Sequence, residues 1–197
     1  MVDWTAVDIY VSTECFILEA SACGDLLTGE KPMSRLALAI DQIVFARNYT
    51  LELLEHTPTS DWFRQIPGGI SHIGWQVGHL AYAEWRLALW RLRGEQPDDQ
   101  NLFPQDFVRL FGYESVPQAD AAKYPRQSEI RAALDRVHAR VRQEVAALDE
   151  IQLDGPVLHP NDFVKTNMQA LFWCAHHEML HAGQIGLLRR QLGHPPF

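Results

Sequence analysis

A chain of 197 residues, 47% of them hydrophobic, is long enough to bury one core and short for two domains. Its 25 acidic residues outnumber the 17 basic ones, giving a net charge of -8. That balance argues against a nucleic-acid backbone or an anionic membrane surface as the main partner. No stretch reaches the roughly 18 uncharged apolar residues that a membrane span needs. The three cysteines, Cys15, Cys23 and Cys174, are an odd number without framework spacing, and read as reduced thiols in a cytoplasm.

Residues 1–32 look unlike the remainder. Asp3, Asp8, Glu14 and Glu19 interrupt their apolar run and no basic residue opens them, which is not the pattern of a secretory signal. Two readings stand side by side: an N-terminal extension that is not native, with Met33 as the true start, or a genuine extra helix. From Met33 an amphipathic first helix is expected, with Ser34 as its N-cap and Leu36, Ile40, Ile43, Tyr49 and Leu53 on or near one face. A breaker-rich loop from His56 to Gly69 follows. Ser71 is the expected cap of a second helix reaching about Arg93 and ended by Gly94 and Pro97. The connection over 94–127 holds four prolines, with a short helix expected around Gln105–Leu110. A third helix is expected from Ser128 to about Leu148. Thr166 opens the last, which runs to Leu192 and stops at Gly193 before Pro195 and Pro196.

No segment alternates with period two between hairpin turns, so the fold class is all-α. Four long helices suit a bundle. The link between helices two and three is too long for a tight turn and is expected to cross over the bundle.

The last helix carries His177-Glu178-Met179-Leu180-His181, an H-E-x-x-H pattern. Four residues advance about 400° around a helix, so His177 and His181 lie one turn apart on one face. His176 is turned about 140° from His181 and points elsewhere. A zinc-protease reading fails, because Gln184 stands where the pattern has its glycine and Leu187 where it has its third histidine, and no acidic residue follows Glu178. His194 is too far along the axis, so the third ligand must come from upstream. His79, mid-helix in an apolar segment where Gly78 permits close approach of a neighbour, is the candidate. The other reading of His79 is a core histidine bonded to backbone or a hydroxyl. If all three share an ion at about 2.1 Å, their ring nitrogens should approach to about 3–4 Å.

The segments Trp75-Gln-Val-Gly-His79-Leu-Ala and His177-Glu-Met-Leu-His181-Ala-Gly-Gln-Ile-Gly-Leu-Leu-Arg-Arg resemble the DinB/YfiT-like metalloenzyme family, over roughly Met33 to Phe197. The resemblance implies a four-helix bundle binding a divalent ion through His79, His177 and His181. It also implies a hydrolase or a thiol-dependent transferase or isomerase, and a family start near Met33.

Smaller expectations attach to neighbours. Cys174 is a fourth ligand or, more in keeping with small buried thiols, an inert core residue. Gln76 and Gln184 orient a ligand or form ordinary interhelical bonds. Glu178 is a general base or an outer carboxylate, or else bonds to a neighbouring helix. His72 is expected to cap or line a pocket, the tryptophans to fill core, and Arg189 and Arg190 to form a solvated face.

Three neutral imidazoles leave coordination positions open, the layout of a catalytic site. The expected cofactor is zinc, with nickel, iron or manganese as alternatives. The expected partners are a small-molecule substrate, possible low-molecular-weight thiols among them, and a second copy in a homodimer. The rival reading is a non-catalytic metal-binding stress or dimerisation bundle.

Overall fold

A computed structural model describes residues 33–196, and the two readings of residues 1–32 lie outside them. Helix α1 (Arg35–Glu55) begins where the Ser34 hydroxyl accepts from the Ala37 N–H, as its sequence signals. Its buried face is built from Ala39, Ile43, Ala46, Leu53 and Leu54, while the expected core residue Tyr49 is exposed. Helix α2 (Ile73–Trp85) is capped by His72, whose Nδ1 accepts from the Trp75 N–H, and not by Ser71. The His72 imidazole offers an unprotonated nitrogen at the one place where an orphan N–H needs it. The helix runs on through a π-helical turn, Arg86–Trp90, into Arg91–Arg93 and ends at Gly94, φ 76°. A left-handed residue there favours glycine.

The connection that follows is not bare loop. It holds a 3-10 stretch at Pro97–Leu102 and a short helix α3 (Phe107–Phe111). Helix α4 (Gln127–Val145) is followed by a short α5 (Glu150–Asp154) that the sequence reading does not separate. Helix α6 (Asn167–Gln191) opens on a Thr166/Gln169 capping box and closes before Gly193, φ 95°. No strand occurs among the described residues, only an isolated bridge between Pro156 and Thr166. The class is therefore all-α.

Helix α1 packs along α6, and α2 packs against both α4 and α6. One end of the core joins Ala39, Ile43, Val137, Val141, Leu171 and Cys174. The other joins Leu53, Trp62, Val77, Leu80, Phe111 and Ile185. The α2/α6 contact brings the mid-points of two apolar helices face to face, and both carry histidines there.

Candidate metal centre

His79 from α2 and His177 and His181 from α6 form one cluster, each offering a ring nitrogen, all within 4.8 Å of one another. Ring centroids lie 4.5 Å apart for the α6 pair, 4.8 Å for His79 and His181, and 5.5 Å for His79 and His177. The outer limit exceeds the about 3–4 Å that shared ligation gives, so the rings must draw slightly closer to grip one ion. His79 also fulfils part of its other reading. Its Nδ1–H donates to the Phe111 carbonyl at 2.8 Å, which fixes the tautomer and leaves Nε2 as the free lone pair.

His181 is held in the same manner by a side chain. Its Nδ1–H donates to Gln76 Oε1 at 2.5 Å, and the Gln76 amide in turn donates to Ser71 Oγ. The Trp75 ring lies parallel to His79 at 4.8 Å, and its indole N–H donates to Ser115 Oγ. Anchoring ligand rings through their second nitrogen is how metal-binding imidazoles are oriented. Burial lowers the affinity of all three for protons. His177 is brought down to about 4, with His79 adding to the effect, and His181 to about 3, with both neighbours adding. For His79 burial outweighs the opposing Phe111 carbonyl, and its value is also lowered. The three rings are thus neutral donors, with two Nδ1 atoms committed outward. Three lone pairs that face one another without a proton donor are a donor set for a cation.

The remaining expectations divide. Gln76 takes the orienting role, whereas Gln184 and His176 are exposed. Cys174 is not part of the cluster. It is buried in the core, and burial, helped by Glu84 and Glu178, raises its thiol well above the ordinary range. Glu178 is also outside the cluster. Its Oε1 accepts from Arg47 Nε at 2.7 Å and its Oε2 from an Arg47 Nη at 3.2 Å. His194, ruled out by its place on the chain, bonds to Asp61.

The solvated face expected for Arg189 is a correction. Arg189 is buried and donates to the His56 carbonyl just beyond the end of α1, while Arg190 is exposed. An orphan carbonyl at a helix end attracts a guanidinium even in the interior. The sequence reading misses three contributors: Phe111, Trp75 as a ring support and Arg47. Only Arg47 carries a local signal, a charge four residues after Ile43 on the apolar face of α1.

A family model described as the DinB superfamily matches residues 42–185, a span that includes all three histidines. No curated protein matches the chain. No described helix is long and apolar enough to cross a membrane.

Proposed function

The chain belongs to the DinB superfamily, and from that premise we propose that it is a divalent-metal-dependent enzyme acting on small molecules. The observation that supports the reading is the convergence of three neutral imidazoles from two helices, two of them anchored through Nδ1. Zinc is the ion that this donor set favours, with nickel, iron or manganese as competitors decided by availability. A bound ion of this kind lowers the pKa of a coordinated water or thiol and polarises a carbonyl. The chain's own residues do the rest. His79, His177 and His181 would hold the ion, Gln76 and the Phe111 carbonyl fix two rings, and Trp75 walls one side.

Between hydrolysis and thiol transfer, Glu178 favours the second. A base that activates water must reach it, whereas Glu178 is buried, lies outside the histidine cluster and is held by Arg47 through both oxygens. A thiol would need no such base once an ion held by the three histidines lowered its pKa. Glu178→Gln should therefore keep the ion and, if thiol transfer is right, most turnover. Loss of nearly all turnover with metal intact would return Glu178 to the role of base and the enzyme to hydrolysis. Assays of the metal-loaded protein against esters, and against thiols with electrophiles, supply the readout. Among the described residues no carboxylate joins the cluster, which favours a non-catalytic metal-binding bundle as second reading, and no turnover on either panel would support it.

A cytoplasmic setting and a homodimer complete the proposal. The dimer draws support from Phe45, Leu180 and Leu187, which stay 59%, 57% and 48% exposed on the paired helices α1 and α6. Sedimentation should give twice the chain mass.

A further inference from the structure

Helix α2 carries a second feature seven residues beyond His79. Arg86 opens the π-helical turn, Arg86–Trp90, and such single-turn bulges re-aim side chains and recur at functional sites. The Arg86 side chain is half-buried, its guanidinium carbon 4.2 Å from the Trp90 ring centre. Among the described residues it makes no ion pair and no hydrogen bond. A partly desolvated arginine without an acceptor is uncommon, because its planar fork carries five donors.

Arg86 faces a cavity of about 500 Å³, lined also by Tyr82, Val108, Arg109, Tyr113 and Ser115. That volume suits a small organic ligand. Two of the walls belong to the metal centre's surroundings. The Tyr82 ring lies 6.3 Å from that of His79, and the Ser115 hydroxyl accepts from Trp75, which stacks on His79. His79, Tyr82 and Arg86 are spaced at three and then four residues, so they follow one face of α2. Arg109 is exposed and lies 3.6 Å from Asp106, and Glu114 stands exposed on the rim. Of the two arginines lining this cavity, the one without a carboxylate partner among the described residues is therefore Arg86, beside the aromatic wall.

We propose that this cavity is the substrate pocket of the metal centre, and that Arg86 binds a carboxylate on the substrate while an apolar body lies against Tyr82, Val108 and Tyr113. A carboxylate is the planar acceptor that matches the guanidinium fork with two parallel bonds. The inference rests on the proposed metal-dependent function, since it assigns the pocket to that centre.

The test uses benzoate as probe with the full chain, titrated by calorimetry, and metal content measured on the same samples. Benzoate should bind, and benzamide, of the same shape without the charge, should bind far more weakly. Arg86→Gln should weaken benzoate by about 10- to 100-fold, the range set by hydrogen bonds to a charged group, with metal content unchanged. Arg86→Lys keeps the charge but loses the fork, and should fall between. Arg190→Gln, on the exposed side of α6, should bind like the parent. Equal binding of benzoate to the parent and to a folded Arg86→Gln would overturn the assignment, as would equal binding of benzamide. Tighter binding of inorganic phosphate than of benzoate would overturn the carboxylate class. Should Arg86→Gln misfold, the Arg86→Lys titration decides, and unaltered affinity there rejects the two-bond contact. An Arg86-dependent benzoate site in a protein that takes up no metal would fail the metal reading while leaving anion recognition by Arg86 intact.

Discussion

At the scale of single residues, the histidines differ in what secures them, and that difference predicts how each change reads out. His177→Ala removes one of three donors and should leave a folded protein that retains little metal, measured by elemental analysis and circular dichroism. Gln76→Ala removes only the acceptor that orients His181 and should weaken the ion by about 10- to 100-fold, the usual range for such supporting groups. Acid supplies an independent check on the chelator-treated protein. The folded-state values of His177 and His181 are depressed to about 4 and about 3, below the 6.5 of a free imidazole. Between those limits the unfolded chain binds more protons than the folded one, so stability falls as the pH falls. It is fully present above about pH 6.5 and is lost progressively towards pH 4 and below. The melting temperature should drop across that window, and His177→Ala should show a shallower drop. An equal slope in both proteins would mean that His177 is not held neutral by burial.

At the scale of elements, two glycines predict opposite signs. A methyl group at Gly78 would stand 2.3 Å from the Phe111 ring, which is fully buried, and whose carbonyl holds His79. Gly78→Ala should cost about 1–3 kcal/mol by overpacking and weaken metal binding as α3 is pushed from α2. A methyl at Gly183, in the middle of α6, meets nothing within 4 Å. Gly183→Ala should therefore stabilise by roughly 0.5–1 kcal/mol with metal content unaltered, both read by denaturant unfolding. The close approach at Gly78 was legible because a glycine inside an apolar helical run has few other uses. The His177/His181 pair was legible for a similar reason, since it is fixed by the geometry of one helix. The supports of His79 and His181 were not. Gln76 and His181 are separated by 105 positions, and His79 and Phe111 by 32, and no local pattern encodes such pairs. The π-helical turn also escaped, because Arg86–Trp90 reads as uninterrupted helix in the period of its apolar residues.

At the scale of the whole molecule, the four long helices meet at a buried charge network. Arg47 of α1 pairs with Glu84 of α2 at 2.6 Å and with Glu178 of α6 at 2.7 Å, and donates to the Leu134 carbonyl of α4. His138 of α4 donates to the other Glu84 oxygen at 2.7 Å. Burial alone would raise the Glu84 value, but Arg47 and His138 overcome it and hold the carboxyl below its ordinary range. The stability Glu84 contributes is thus present above its unfolded value and lost as the pH falls through the lower folded one. Arg47→Met should cost about 3–5 kcal/mol, because it leaves Glu178 buried without its cation and Glu84 with His138 alone. Adding Glu84→Gln and Glu178→Gln should recover part of that loss, as the penalty lies in uncompensated charge and not in the missing pair. Arg47→Met should also flatten the pH dependence of the metal-free protein in mild acid. Without the guanidinium only His138 opposes burial at Glu84, so that carboxyl value rises and the stability gained as the pH falls through it offsets part of what His177 and His181 lose. Unfolding followed from pH 7 to pH 5 should show the parent weakening and Arg47→Met weakening less. Parallel curves would mean that water or a side-chain rearrangement reaches the carboxylates, and that the network does not bind the four helices through its charge.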